Sequence, residues 1–217
     1  MSTKTISKKK VAKPVETNGN GIKITVKSIL SAGSNLEHRL VDDYEELDKL
    51  VRTFKQMGYR VVLTQGVYDL IHEGHAAYLE TAKAQGDVLI VGVDSDELTR
   101  QRKGPDRPIV PQTERLKMLV HLRHVDIVTL RHSHHGIGDL IKLVKPDVLV
   151  VSKSTTDFTA GMAKEYVAVC GKVVSLPPQA TTTTSARIRN LTIEGAEKLA
   201  QEVFQLTQKF LNKIRQK

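Results

Sequence analysis

Cysteine is nearly absent. Cys170 stands alone in 217 residues, so no internal disulfide can form, and a reducing cytoplasm is the expected setting. The lone thiol reads as a small buried hydrophobe. Long apolar runs are also missing: those at 88–93 and 147–151 are far too short to cross a bilayer, and no N-terminal stretch resembles a signal peptide. Tryptophan does not occur, and no aromatic residue interleaves with the N-terminal lysines, so that segment offers no platform for base stacking. A nucleic-acid partner is therefore not expected, although the formal charge is +9. The basicity belongs to the ends. Lys4, Lys8, Lys9, Lys10 and Lys13 oppose only Glu16 in residues 1–20, and Lys209, Lys213, Arg215 and Lys217 close the chain unopposed; together these ends hold eight of the nine net charges. Residues 1–21 read as a solvated, disordered basic tail.

What is present is a 40% hydrophobic composition, enough for the core of one domain with extensions. Residues 22–58 form a lead-in: Ile22–Ile29 alternates like a short strand or an extended segment, and Leu40, Tyr44, Leu47, Leu50, Val51 and Phe54 recur at helical spacing over 36–57 before Gly58 ends the run. Strand and helix then alternate over 59–190. Strands are predicted at 60–64, 87–93, 126–130, 147–151 and 172–176, with helices at 73–85, 112–123, 136–145 and 158–170 and a charged loop at 101–111. This pattern predicts an α/β fold, Rossmann-like and doubly wound, with a mostly parallel sheet and a ligand site beyond the carboxyl ends of the strands. Residues 191–217 carry Leu199, Val203, Leu206, Phe210 and Ile214 at steps of four and three, one apolar stripe that either packs on its own domain or forms a homodimer seam.

The densest chemistry lies in Val61–His75. An apolar strand leads to Gly66, whose missing side chain permits a close turn, and a helix is predicted to begin near Glu73. The first amides of a helix lack intrahelical partners and sit at its positive pole, where anionic phosphates are favoured. His72 and His75, three residues apart, share a helical face and can address the same substrate atoms.

This segment resembles the signature of the cytidylyltransferase-like nucleotidyltransferases, Gly-x-Phe-Asp-x-x-His-x-Gly-His, with Gly66, Tyr68, Asp69, His72, Gly74 and His75 in the matching places. Tyr68 stands where phenylalanine is usual. The resemblance runs over roughly residues 40–190. Arg102 to Ile109 is similar to the basic loop that closes over phosphates in this family, where Lys103 and Arg107 would hold them, and Arg115 resembles the family arginine that supports the nucleotide site. Thr181–Arg189 is similar to the family's Ile-Ser-Thr-Thr-Lys-Ile signature, which puts Thr184 and Ser185 on the hydroxyl pair and Arg187 on the lysine. Val67 and Asp94 join the expected nucleotide-binding set. Ser152, Lys153 and Ser154 depart from the glycine and aspartate usual after that strand.

The resemblance implies transfer of a nucleotidyl group from ATP or CTP to a phosphorylated small-molecule acceptor, with release of pyrophosphate. His72, His75 and Lys103 would be catalytic, and Mg²⁺ would arrive with the triphosphate, while Asp69 fixes the turn and orients a histidine rather than binding metal. Over Leu47–Val128 the chain looks most like the adenylyltransferase domain of bacterial heptose 1-phosphate enzymes, which favours ATP and a sugar 1-phosphate. The alternatives are a CTP-dependent enzyme for glycerol 3-phosphate or a phospho-alcohol, and a nucleotide-binding scaffold of weak activity. His132, His134 and His135 read as a polar loop at the rim of the site rather than a metal centre.

Overall fold

A computed structural model describes residues 24–31, 33–136, 138–153, 160–179 and 184–215. The expectations for the basic tail and for Ser154 and Thr181–Thr183 therefore lie outside the described residues. In chain order the elements are α1 (Val26–Ile29), α2 (Leu36–Arg39), α3 (Tyr44–Gln56), β1 (Val61–Gly66), α4 (Glu73–Lys83), β2 (Val88–Asp94) and α5 (Asp96–Lys103). They continue as α6 (Gln112–Val120), β3 (Ile127–Arg131), α7 (Asp139–Val144), β4 (Val148–Ser152), α8 (Ala160–Val167), β5 (Lys172–Leu176) and α9 (Thr184–Arg215). Residues up to Gln179 make one compact unit, and Ala180 onward a second that consists largely of α9.

The strands form one sheet in the order β3-β2-β1-β4-β5, with each described pair parallel. Strand residues alternate between two cores, as burial on both faces of a parallel sheet requires. Val61, Leu63, Ile90, Ile127 and Leu149 face Leu47, Leu50 and Phe54 of α3 and Leu140, Ile141 and Val144 of α7. Val62, Leu89, Val91, Val128 and Val150 face Leu79 and Ala82 of α4 and Leu116 and Leu119 of α6. Helices thus cover both faces and the fold is Rossmann-like. Cys170 is buried in the first core, where burial pushes its thiol up to about 11 and leaves it a packing residue.

Four local expectations are corrected. The strand expected over 22–29 is a helical turn in its described part, because Thr25 and Ser28 close a reciprocal capping box that fixes α1. The single helix expected over 36–57 is two: Leu40 bridges Val128 at the edge of the sheet and the Val41 amide donates to Val128 O at 2.9 Å. Asp43 then restarts the helix, its carboxylate accepting from the Glu45 and Glu46 amides at 2.7 and 3.1 Å. The charged loop expected from 101 begins only at Gly104, since Ser95 caps a helix, α5, that carries Arg102 and Lys103 in its last turn. The C-terminal helix starts at Thr184, ahead of the apolar stripe that makes it visible in the sequence.

Candidate active site

Beyond Gly66 the chain turns sharply, with Tyr68 at φ 55° and Leu70 at φ 46°, both in the left-handed region that L side chains adopt at a cost. Gly66 leaves room for the turn, since a Cβ on it would stand 3.1 Å from the Tyr68 ring, closer than an ordinary contact. Between the two strained residues lies Asp69, only 2% exposed. Its Oδ2 accepts from Arg107 Nε at 2.9 Å, from Arg107 Nη2 at 2.8 Å and from the Ile109 amide at 2.9 Å, while Oδ1 accepts from the Val110 amide at 2.9 Å. One carboxylate therefore fixes the turn after β1 and fastens the 104–110 loop to it.

The turn delivers His72 as the N-cap of α4. Its Nδ1 accepts from the Gly74 amide at 3.1 Å, and His75 Nδ1 accepts from the His72 amide at 3.4 Å, a capping box made of two imidazoles. Acceptance at Nδ1 assigns the proton of each neutral ring to Nε2. The ring centroids are 4.2 Å apart, and His75 lies 5.7 Å from the Tyr68 ring. Burial, then the neighbouring His72 and Lys103, lower the His75 pKa to about 4, so the ring is neutral near pH 7. Two Nε2–H donors and the first amides of an eleven-residue helix thus occupy one corner.

Positive charge is assembled beside this corner by buried carboxylates. Asp94, at the end of β2 and fully buried, pairs with Arg131 Nη1 at 2.6 Å and with Arg102. Partial withdrawal from water, then the Arg107 and Arg102 charges, lower the pKa of Lys103, which makes no hydrogen bond or salt bridge among the described residues. Arg115 is 1% exposed and reaches three segments at once. It donates to Val110 O at 2.9 Å, to Val67 O, to Asp94 O at 2.8 Å and to Asp96 Oδ1 at 2.7 Å. Its guanidinium ties the ends of β1 and β2 to the loop from beneath.

Gly66, Val67, Tyr68, Asp69, His72, Gly74, His75, Asp94, Lys103, Arg107 and Arg115 accordingly lie in one unit around the carboxyl ends of β1 and β2. Thr184, Ser185 and Arg187 begin α9 in the other unit, and their side chains lie outside the described residues. Arg131 was missed by sequence reasoning; its signal is a charged residue ending an apolar strand of a parallel sheet. The histidine loop follows it. His135 stacks on Tyr44 at 4.4 Å, and His132 Nε2 lies 3.7 Å from Asp42 Oδ1. No group of three or more metal-binding side chains is found among the described residues. No described helix is long and apolar enough to cross a membrane.

The family model described as cytidylyltransferase-like matches residues 63–214. The bifunctional protein HldE of a Nitratiruptor species is 44% identical over 110 residues, covering 51% of this chain and 24% of that protein. HldE of Desulfatibacillum aliphaticivorans is 37% identical over 144 residues, covering 66% and 29%. The chain thus spans about a quarter of the length of these curated relatives. The crystal structure of pantoate-beta-alanine ligase from Francisella tularensis, complexed with beta-gamma ATP and beta-alanine, superposes with a TM-score of 0.52 at 16% identity, over 74% of this chain and 77% of that one, a likeness of fold. With the family model matching well over half of its length, the chain belongs to the cytidylyltransferase-like family.

Proposed function

We propose that the protein is a nucleotidyltransferase that moves AMP from ATP to a phosphorylated small molecule, a sugar 1-phosphate such as heptose 1-phosphate, and releases pyrophosphate. The single observation that carries this reading is the pairing of His72 and His75 at the N-terminus of α4. An ionised oxygen of the acceptor phosphate attacks the α-phosphorus; the bond from that phosphorus to the bridging oxygen breaks, and the electron pair leaves with pyrophosphate. No enzyme nucleophile is required, so catalysis rests on position and charge. The Nε2–H groups of His72 and His75 stabilise charge on the transferring phosphoryl group. Lys103 neutralises the triphosphate, whereas Arg107, already held by Asp69, presents the loop. The motif resemblance assigns Thr184, Ser185 and Arg187 to the β and γ phosphates.

Mg²⁺ would be brought by the triphosphate, where it would offset phosphate charge. This fits the engagement of Asp69 and Asp94 by arginines, which leaves neither as a dedicated metal ligand. The preference for ATP rests on the similarity to the heptose 1-phosphate adenylyltransferases over Leu47–Val128 and on the HldE relatives. The runner-up, CTP with glycerol 3-phosphate, is favoured by the family description. The deciding experiment titrates ATP and CTP separately with Mg²⁺ and each acceptor, reading pyrophosphate. ATP-dependent release with heptose 1-phosphate is expected; turnover with CTP alone reverses the base assignment, and failure of both triphosphates to bind at millimolar concentration overturns the reading.

A further inference from the structure

The other polar feature at this end of the sheet lies on the face covered by α3 and α7. Gln65, Gly92 and Thr129 occupy one row across β1, β2 and β3, and Arg131 ends β3 two residues on. Side chains in register on neighbouring parallel strands point to the same face. Gly92 supplies none, and the space above it is closely ringed: an added Cβ would meet Leu140 Cδ2 at 2.5 Å, Arg131 Cδ at 3.1 Å and Gln65 Cγ at 3.3 Å. The stems of Gln65 and Arg131 thus both pass close to the Gly92 backbone, with Leu140 packed on it.

Among the described residues, no protein group satisfies several of their polar atoms. Arg131 is 3% exposed, yet only Nη1 is engaged, by Asp94; Nε and Nη2 are buried without a partner. Those two nitrogens form one edge of the guanidinium, the parallel pair of donors that grips two oxygens of an anion side-on. Gln65 Oε1 and Thr129 Oγ1 are likewise buried and unpartnered. Buried polar atoms without partners are costly, so four of them along one face at the end of the sheet call for an occupant. The donors ask for an oxyanion and the Gln65 acceptor asks for a hydroxyl. Gln65, Tyr44 and His135 are only half-buried, so the cluster is approached from its rim.

We propose that Gln65, Gly92 and Arg131 form a subsite for the acceptor, taking the oxyanion of a hydroxylated phosphate monoester on the Nε/Nη2 edge of Arg131 and a neighbouring hydroxyl on Gln65. The proposal rests on the nucleotidyl-transfer reading for the meaning of "acceptor", but not for the existence of the subsite. Asp94 couples it to the basic helix end, since the same carboxylate holds Arg131 and Arg102.

The test is calorimetric titration of the full chain with two probe classes: Mg²⁺-ATP and Mg²⁺-CTP, and separately glycerol 3-phosphate, glucose 1-phosphate and inorganic phosphate. Arg131→Lys keeps a charge for Asp94 and removes the forked edge. It should weaken both phosphate esters on the order of tenfold, the loss of one charge-assisted bond, while leaving triphosphate affinity within about twofold. Gln65→Leu should weaken the esters and spare inorganic phosphate, which carries no polyol hydroxyl. Circular dichroism on each variant establishes that it is folded. Ester affinity unchanged in folded Arg131→Lys, equal loss of ester and triphosphate, or a wild type that binds neither ester overturns the subsite and leaves the cluster to water. A wild type that binds esters through Arg131 but no triphosphate supports the subsite and overturns the nucleotidyl-transfer reading instead.

Discussion

Arg107 places two nitrogens, Nε at 2.9 Å and Nη2 at 2.8 Å, on the same oxygen of Asp69, and that carboxylate also receives the amides of Ile109 and Val110. The loop that carries Arg107 is thus anchored to the turn preceding His72. Asp69→Asn replaces one acceptor of a buried carboxylate by an NH2 donor facing the partly buried Arg107 guanidinium. We expect a loss of about 3 kcal/mol in stability, typical of a buried pair deprived of one partner, measured by urea unfolding. A change below about 1 kcal/mol would mean that the loop is held elsewhere.

His75→Ala should lower turnover on the order of 10²–10³-fold with the fold retained, the usual cost of one preorganised donor. Pyrophosphate release measures it. Equal rates in wild type and variant remove the residue from the mechanism, whereas an unfolded variant makes its role structural.

The low pKa of His75 also sets a pH dependence. Its folded value of about 4 lies below the ordinary 6.5, so between those values the unfolded chain binds more protons. Stability contributed by the neutral ring is complete above about 6.5 and is lost as pH falls toward 4. Thermal midpoints should decline across that window, and His75→Gln should flatten the decline. Triphosphate should raise the His75 midpoint in an NMR titration, because the anion favours the imidazolium; an unchanged midpoint with bound nucleotide would separate His75 from the phosphates.

On α9, Leu199, Val203 and Leu206 are 61%, 54% and 66% exposed. We expect this stripe to join two copies, and Leu199→Glu with Leu206→Glu to convert a dimer into a monomer in sedimentation velocity. A monomeric wild type removes the dimer.

The sheet was legible because burial on both faces leaves near-continuous apolar runs, and the predicted strand at 172–176 matches β5 residue for residue. The corner was legible because its glycines and histidines are adjacent in sequence. Asp94 was placed at the site, but its engagement by Arg102 and Arg131 could not be seen: a helix and a neighbouring strand supply the partners, and no local spacing encodes a pairing made across the sheet. The break at Leu40–Val41 was hidden for a related reason. The helical period of its apolar residues continues through it, and a tertiary pairing with Val128 overrides that period.

Arg115 touches no reacting atom in the proposed chemistry, yet its one guanidinium joins the carbonyls of Val67, Asp94 and Val110. Lysine, with a single point of charge, cannot span all three. In an activity screen, Arg115 variants would be scored with the catalytic losses, alongside His75. They should differ in heredity as well as cause: a compensating substitution that stabilises the domain elsewhere can restore an Arg115 variant, and none of that kind can restore His75.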